Sequence, residues 1–441
     1  MFPLAGVGRG VRVVFCFFAG LCFQSQASNL FVSSLGSDDN SGSSSQPFRT
    51  ISHAYSLALP GDRILVQPGV YSDYSSNWGL HLGANGTASS PIVLKSLVKG
   101  GAVIDGLNAS DRNQGIYLDG SYNVVDGFEI RNGPNGGILV SGNNNQILNC
   151  EIHNNGNPAS TNTDGMDGVY SDSSSSGNIY FANSIHHNGR IGSSFDHGLY
   201  LCGKNESVIN NVVYGNAASG LQVAGYTTVS NIKVYNNVLA FNGTSGIILW
   251  QSLNEVDIKN NIFYQNGHYG VGSYDAHGGG VVLDHNLAYG NGYGGYNLSG
   301  DGSDYSYTQG TAVSGAPVLA NVNPAGFDAH LSDGSPGIAA GVNLSSVFTT
   351  DKDGAPWPAL GNWNLGPYVA SKPRLSLVVS AGIIIISWPA GSGGYQLESK
   401  SIPSVSSPWT AVTSVPMLVG STYEVREPAV LGGKLYRLRS Q

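Results

Sequence analysis

Charged residues are scarce in this sequence. Only 11% of its 441 residues are Asp, Glu, Lys or Arg, against about 25% in a typical globular chain. This scarcity excludes a coiled coil and a charged disordered chain, because both need many more charged side chains. Cysteine is scarce as well, with four in the whole chain. No segment repeats apolar residues at the 3.6-residue helical period, which excludes a helical solenoid.

Glycine, in contrast, is abundant. The chain has 62 glycines, about twice the usual share of ~7%, and they do not recur at every third position as in collagen. Glycine, asparagine and serine are interleaved with β-branched residues, which predicts many short strands joined by tight turns. A chain of this length is expected to form two or three domains and to bury a large core.

The first 27 residues have the pattern of a secretory signal peptide. Arg9 and Arg12 give a positive start, an apolar run of 11 residues follows at 13–23, and Ser25 and Ala27 offer small residues at a cleavage site. The apolar run is shorter than the ~20 residues that span a bilayer. We therefore expect a secreted protein, extracellular or periplasmic after cleavage, with no membrane span.

Removal of this leader changes the charge and the cysteine count. Loss of Arg9 and Arg12 takes the formal net charge from −8 to −10, which argues against a nucleic acid partner. Only Cys150 and Cys202 then remain. Since two cysteines make no disulfide framework, we expect them to be buried thiols.

A repeat of 22–31 residues runs through the middle of the chain. Its first phrase, Gly-apolar-x-apolar, begins at Gly115, Gly137, Gly168, Gly198, Gly220, Gly246 and Gly270. Its second phrase ends in an asparagine, at Asn155, Asn188, Asn216, Asn242, Asn266 and Asn291. Short strands at such a repeat are typical of the coils of a right-handed parallel β-helix, stacked about 4.8 Å apart. Inward asparagines at the same turn of successive coils are expected to bond to one another as a ladder.

The repeat glycines also predict which strands are neighbours. One parallel sheet is expected from Ile116–Leu118, Ile138–Val140, Val169–Ser171, Leu199–Leu201, Leu221–Val223 and Ile247–Leu249. Because side chains alternate along a strand, the first and third residues after each glycine point inward, and the second and fourth point outward. The polar part of the outward face centres on the coils that begin at Gly168 and Gly198.

The two ends of the repeat resemble known proteins. Residues 30–71 are similar to the N-terminal cap of secreted bacterial right-handed β-helix proteins of the pectate-lyase-like superfamily, and residues 91–106 continue the same pattern. Residues 330–336, 353–354 and 366–368 resemble the closing segment of such helices. The resemblance covers about 30–370 and implies an all-β fold, a right-handed parallel β-helix.

The last 70 residues change in character. After a linker at 371–373, residues 375–388 predict a hairpin with Ala381 and Gly382 at its turn. This stretch resembles the small fibronectin-like β-sandwich that often ends secreted bacterial enzymes. The expected organisation is a signal peptide at 1–27, a cap and first coils at 28–110, central coils at 111–300, a closing segment at 301–370 and a β-sandwich at 371–441.

Two coils are longer than the others. Those leading into Gly168 and Gly198 take 31 and 30 residues, whereas most take 22–26. The additional residues, 156–163 and 189–195, precede the acidic residues Asp164, Asp167 and Asp196. Lengthened loops on a regular scaffold usually carry function, so the active centre is expected here.

The residues at this place suit β-elimination on a uronic acid. In that reaction a base removes the proton at C5 and an acid protonates the leaving oxygen. His197 is the expected base, because Asp167 holds the equivalent position on the adjacent coil and a neighbouring carboxylate orients an imidazole and raises its pKa. The polar neighbours supply the other roles, with Tyr200 or Tyr170 as the acid and Arg190 or Lys204 beside the substrate carboxylate.

Three other interpretations remain open. Residues 162–167 resemble the Asn-Thr-Asp-Gly-x-Asp motif of polygalacturonase-type hydrolases, with Asp196 in place of the first of their paired aspartates, but His197 stands where the second belongs. Residues 196–198 also resemble the Asp-Pro-His motif of mannuronan epimerases. A non-catalytic binding protein is the third interpretation, favoured by the few basic residues between 140 and 300.

The acidic residues also suggest a calcium ion. Asp164, Asp167, Asp172 and Asp196 bring the carboxylate oxygens that this cation prefers, and the resemblance to pectate-lyase-like helices implies such a use. The alternative is turn chemistry, since Asp-Gly marks turns. Asp164 and Asp196 have outward parity and are expected to face solvent. The predicted partner is a polysaccharide, acidic for a lyase, and the protein is expected to be a monomer.

Overall fold

The computed structural model describes residues 27–72, 78–107, 114–157, 159, 165–369, 375–389, 395–401, 408–419, 422–429 and 433–440. The predicted signal peptide up to residue 26, the loop residues 160–163, Asp164 and the linker at 371–373 lie outside these residues. Within the described part of the chain, none of the helices has the length and apolar character needed to cross a membrane.

The N-terminal part combines a short capping helix with the first coils. Thr50 begins the helix by accepting a hydrogen bond from the backbone N–H of His53, which satisfies one of the unpaired amides of the first turn. The elements in chain order are β1 (Asn29–Val32), α1 (Ile51–Ser56), β2 (Arg63–Val66), β3 (Gly69–Tyr71), β4 (Leu80–His81), β5 (Ile92–Ser96) and β6 (Ala102–Asp105).

Regular coils of short strands follow. They contain β7 (Ile116–Leu118), β8 (Asn123–Asp126), β9 (Glu129–Arg131), β10 (Ile138–Val140), β11 (Gln146–Leu148), β12 (Glu151–His153), β13 (Val169–Ser171), β14 (Ile179–Phe181), β15 (Ser184–His186), β16 (Leu199–Leu201), β17 (Ser207–Ile209), β18 (Val212–Tyr214), β19 (Leu221–Tyr235), β20 (Val238–Ala240), β21 (Ile247–Lys259), β22 (Ile262–Tyr264), β23 (Tyr269–Asp284), β24 (Asn286–Tyr289), β25 (Gly294–Asn297), β26 (Asp304–Gln309) and β27 (Ala312–Val313).

The strands stack as three parallel faces of a β-helix. The first face contains β4, β7, β10, β13 and β16, the second contains β1, β2, β5, β8, β11, β14 and β17, and the third contains β3, β6, β9, β12, β15, β18, β20, β22, β24 and β27. In β19, β21 and β23 the first and second faces continue within single long strands, and beyond them β25 ends the first face and β26 the second. The predicted sheet and its register are confirmed, because Ile116, Ile138, Val169, Leu199, Leu221 and Ile247 are partners on successive coils.

Paired asparagines build the corner between the second and third faces. The first member of each pair, as at Asn210 and Asn236, has a left-handed backbone with φ of 56° and 52°, a conformation that asparagine tolerates better than most residues. The second member points inward. The backbone N–H and Nδ2 of Asn211 both donate to Oδ1 of Asn237, at 2.8 and 3.0 Å.

The predicted asparagines form the same kind of ladder, since Nδ2 of Asn188 donates to Oδ1 of Asn216 and Nδ2 of Asn216 to Oδ1 of Asn242, both at 3.0 Å. The prediction is therefore confirmed, and the ladders satisfy polar groups inside the coils.

The closing segment folds back along this corner. It includes β28 (Leu319–Asn321), a 3-10 helix (Pro324–Gly326) and the antiparallel β29 (Asp328–Leu331). The outward amides of Asn210 and Asn236 donate to the carbonyls of Thr350 and Asn364. Lys352 is buried and its Nζ donates to the carbonyl of Ala182. Residues distant in sequence thereby cover the third face.

The C-terminal module consists of two small antiparallel sheets, as predicted. Its strands are β30 (Ser376–Ser380), β31 (Ile383–Pro389), β32 (Tyr395–Ser401), β33 (Thr410–Ala411), β34 (Met417–Val419), β35 (Thr422–Pro428) and β36 (Lys434–Ser440). The hairpin turn lies at Ala381 and Gly382, both with positive φ. Ile386, Trp388, Leu397 and Val425 form the core. In the β-helix, Cys150 and Cys202 are free buried thiols, which confirms that prediction.

Candidate active site

A cleft of about 380 Å³ lies against the outer side of the first face. Its lining includes Asp167, Tyr170 and Tyr200 from the two lengthened coils, together with Trp78 and Gln114 from earlier ones. Tyr170 and Tyr200 are register partners on β13 and β16, and their rings lie 5.3 Å apart. The predicted alternation places both side chains outward, while Val169, Ser171, Leu199 and Leu201 are buried. Burial raises the pKa of both tyrosines, so their hydroxyls remain protonated.

Asp167 is the titratable group at the base of the cleft. Only 4% of its surface is exposed, and its Oδ1 accepts the backbone N–H of His197 at 2.6 Å. Burial, with a smaller contribution from the charge of Asp196, raises the pKa of Asp167 well above its usual value, although the hydrogen bond from His197 opposes this. A carboxyl group of this kind can exchange a proton nearer to neutral pH than an exposed aspartate.

Asp196 lies inside the cleft wall, so the prediction that it faces solvent is wrong. Arg190 encloses its carboxylate, with Nε at 2.7 Å from Oδ2 and Nη2 at 2.7 Å from Oδ1. The backbone N–H groups of Arg190 and Met166 also donate to it. Burial acts to raise the pKa of Asp196, but these bonds outweigh burial and hold the pKa below its usual value. The Arg190 guanidinium is engaged by Asp196, which argues against the predicted role of Arg190 in binding the substrate carboxylate.

The imidazole of His197 does not meet the carboxylate of Asp167. Its ring is buried, its Nδ1 accepts the backbone N–H of Ser219 at 3.2 Å, and it stands edge-on to Tyr200. Burial lowers the pKa of His197 to about 4, with Asp196 opposing weakly. The expectation that Asp167 raises this pKa is wrong, because Asp167 bonds to the backbone of His197 and not to its ring. A neutral imidazole whose Nδ1 is already bonded is a poor general base.

The other predicted residues do not converge on the cleft. Asp172 accepts the backbone N–H and hydroxyl of Ser174 within its own turn. Lys204 is exposed and lies beside Ser176 and Ser230 in the turn after β16. Across the described residues, no three His, Cys, Asp or Glu side chains are placed to hold a metal ion. Asp172 is bonded within its own turn and Asp196 is paired with Arg190, so these carboxylates do not fit a calcium site shared with Asp167. Asp164, the fourth predicted ligand, lies outside the described residues.

Sequence reasoning missed a second Asp–His pair on the same face. His81 Nε2 lies 2.7 Å from Asp119 Oδ1, and the His81 ring stacks on Tyr117 at 5.3 Å. Tyr117 and Asp119 are the second and fourth residues after the repeat glycine Gly115, so the alternation of side chains along the strand already predicts that both point outward. The short strand that carries His81 precedes the first glycine of the predicted repeat, so the repeat did not predict that His81 lies on this face.

Glu206 lies in the interior beneath the cleft strands and was also missed. Its Oε1 accepts the hydroxyls of Ser171 and Ser175 and the amide of Asn178, at 2.6–3.0 Å. Burial raises the pKa of Glu206 to about 7, and the three hydrogen bonds oppose that rise. Asn145 and Asn178 form a short asparagine ladder at this turn. On the next coil, Glu206 stands in the place of a third asparagine and accepts the bond from the Asn178 amide.

Comparison with known families agrees with this architecture. Residues 30–189 match the family described as "Pel9A-like, right handed beta helix region", and residues 225–312 match the "Right handed beta helix region" family. The chain is a pectate-lyase-like right-handed parallel β-helix protein. The expected fold class is thus confirmed in its handedness as well as in its strands.

Individual relatives of this β-helix protein carry pectate lyase names. "Pectate lyase L" of Paenibacillus polymyxa is 28% identical over 301 residues, which are 58% of this chain and 65% of the relative. "Pectate lyase L" of Dickeya chrysanthemi is 25% identical over 286 residues, 55% of this chain and 67% of the relative. The chain thus spans just under two thirds of the Paenibacillus protein. The chain is thus similar to polysaccharide lyases in its β-helix.

A solved structure shows the same fold. The crystal structure of pectate lyase Pel9A aligns with 79% of this chain and 97% of its own, with a TM-score of 0.58 and 19% sequence identity. At that identity the likeness concerns the β-helix itself.

Proposed function

We propose that this protein is a polysaccharide lyase that cleaves a uronic-acid-containing glycan by β-elimination in the first-face cleft. The observation that carries the proposal is the placement of Asp167, a buried carboxyl group with a raised pKa, in the same cleft as Tyr170 and Tyr200. The pectate lyase relatives support the same reaction class. We also propose that the protein acts outside the cytoplasm, on the basis of its leader pattern at 1–27.

Asp167 is the base in this proposal. Its Oδ1 is held by the backbone of His197, which leaves Oδ2 to take the C5 proton of the uronic acid. The electrons of the broken C–H bond form the C4–C5 double bond as the C4–O bond breaks. Because burial raises its pKa, the deprotonated carboxylate is a stronger base than an exposed aspartate.

Tyr200 or Tyr170 is the acid that protonates the leaving oxygen. Both tyrosines line the same cleft as Asp167, and their raised pKa values keep the hydroxyls protonated at neutral pH. Gln114 and Asn135 also line the cleft. Their amides are donors that suit the uronate carboxylate and the enolate that develops from it.

The test is an assay on polygalacturonate, alginate and a glucuronate-containing glycan, read at 235 nm and by reducing ends. Asp167→Asn keeps an acceptor for the His197 N–H but cannot take the proton, so activity should fall by ~10²-fold or more. Tyr200→Phe should lose a similar factor if Tyr200 is the acid. Asp304→Asn and Tyr289→Phe, on exposed residues of the second and third faces, are the matched controls and should retain activity.

The product that is formed distinguishes the possible functions. Unsaturated product from the wild type supports the lyase. Reducing ends without absorbance at 235 nm would indicate hydrolysis and overturn the proposal. Absence of both products on every substrate would favour the binding-protein interpretation, and full activity of a folded Asp167→Asn protein would move the base elsewhere.

A further inference from the structure

We propose that the third face carries a second glycan-binding site, separate from the lyase cleft, which takes a neutral sugar unit. This third-face cleft has a volume of about 350 Å³. One side is formed by Glu151, His186 and Tyr214 of the coils, and the other by Phe327, Asp328 and His330 of the closing segment. A cleft of this size with a few convergent polar groups is typical of a small-ligand site.

Aromatic rings line both sides of the third-face cleft. His186 and Tyr214 are register partners on β15 and β18, and their rings stack at 4.6 Å with an interplanar angle of 23°. Phe327 lies 5.1 Å from Tyr214. On the closing segment, His330 stacks on Tyr368, which also lines the cleft. Because these rings stack on one another, they give the cleft a rigid, largely apolar lining against which the C–H groups of a sugar ring can pack.

Carboxylates on both walls offer hydrogen-bond acceptors. Glu151 uses Oε1 for His186 Nε2 at 3.1 Å, and Asp328 uses Oδ1 for the backbone N–H and Nδ1 of His330 at 3.0 and 2.5 Å. Within the described residues, the second oxygen of each carboxylate makes no hydrogen bond. The two side chains are 48% and 45% exposed. These oxygens can therefore accept bonds from sugar hydroxyls that enter from solvent.

The charge of the third-face cleft favours a neutral sugar over a uronate. None of its described lining residues is Lys or Arg. The ammonium of nearby Lys352 is buried on the carbonyl of Ala182. Asp353, which bonds to His330 Nε2, adds a further carboxylate beside the cleft. Lys352 and His186 act electrostatically on Glu151, but Lys352 does not line the cleft. A uronate carboxylate would therefore meet these negative groups without a lysine or arginine in direct contact.

Calorimetric titration of the full chain tests the proposal. The probes are neutral gluco-, galacto-, arabino- and xylo-oligosaccharides, with oligogalacturonate for comparison. We expect a neutral probe to bind more tightly than about 10 mM and to bind in Asp167→Asn as in the wild type. The double variant Glu151→Gln, Asp328→Asn should weaken binding by ~10-fold or more, since a hydrogen bond to a charged group contributes about that factor.

Glu129→Gln is the matched control. Glu129 is the register partner of Glu151 on the preceding coil and pairs with His153 as Glu151 pairs with His186, but it does not line the third-face cleft. Its variant should bind as the wild type does. Three results would overturn the proposal: no binding of any neutral probe, unchanged binding by the folded double variant, or loss of binding in Asp167→Asn. Because Asp167→Asn addresses the lyase cleft alone, failure of the proposed function is distinguishable from failure of this second site.

Discussion

Oδ1 of Asp167 accepts the backbone N–H of His197 at 2.6 Å, and this bond joins the two lengthened coils at the point where they enter the first face. The bond fixes the Asp167 carboxyl group in the cleft wall. It also directs the His197 ring away, toward Ser219 and Tyr200. The chemistry of the cleft is therefore assigned to the carboxyl group and not to the imidazole.

The pH dependence of activity should report Asp167. Only the deprotonated carboxylate can take the C5 proton, so kcat/KM should rise with pH through the pKa of Asp167. Because burial raises that pKa, the acidic limb should lie well above the ~3.9 of an ordinary aspartate. The profile is measured from initial rates at 235 nm, with Asp304→Asn as the control. A limb at the ordinary aspartate value would contradict the assignment.

Removal of the Arg190 guanidinium should destabilise the β-helix. Arg190→Met leaves the carboxylate of Asp196, which is fully buried, without its cation, and breaking a buried ion pair in this way typically costs about 3–5 kcal/mol. The measurement is denaturant unfolding. Arg63→Met, at an exposed position on β2, is the control and should change stability little. The double variant Arg190→Met, Asp196→Asn should recover part of the loss, and absence of any recovery would show that charge is not the cause.

The asparagine ladder should contribute strongly to stability. Asn237 accepts two bonds from Asn211 and donates to Val208 O and Asn261 Oδ1. Asn237→Ala leaves these buried partners unsatisfied, at about 1–3 kcal/mol for each group. Thermal unfolding measures the effect against Asn254→Ala, an exposed residue of β21. Equal melting temperatures for the two variants would refute the structural role of the ladder.

Glu206 should make the stability of the β-helix fall as pH rises. Its pKa is raised from 4.5 to about 7, so between these values the folded state binds more protons than the unfolded state. The contribution is fully present below pH 4.5 and is lost as pH rises through about 7. At about 1.4 kcal/mol per pKa unit, the total is about 3 kcal/mol.

The matched variant is Glu206→Gln, which copies the shape of the neutral side chain. Denaturant unfolding between pH 4 and 8 should show a smaller decline in the variant than in the wild type. Asp304→Asn serves as the control for charge alone. Parallel pH profiles for the wild type and Glu206→Gln would mean that the pKa of Glu206 is the same in the folded and unfolded states, and that its burial has no such effect.

The position of the candidate site was accessible from the sequence, but its chemistry was not. Lengthened loops before Gly168 and Gly198 predicted the place, and strand parity predicted the outward side chains of Tyr170 and Tyr200. Parity holds only within a strand, however. Asp196 and His197 precede β16, where the chain is still turning, and there the Arg190 guanidinium and the Ser219 N–H determine which way each side chain points.

The sequence by itself determined the β-helix, its register and its asparagine ladders. These depend on a period of 22–31 residues and on local properties of glycine, asparagine and β-branched residues, which can be read from neighbouring positions. Only the tertiary structure decided the pKa values of Asp167 and Glu206 and the existence of the third-face cleft. The pKa values depend on burial by whole coils. The third-face cleft exists because the closing segment returns to coils far earlier in the chain, as Thr350 does to Asn210, 140 residues away, and no local pattern encodes such a contact.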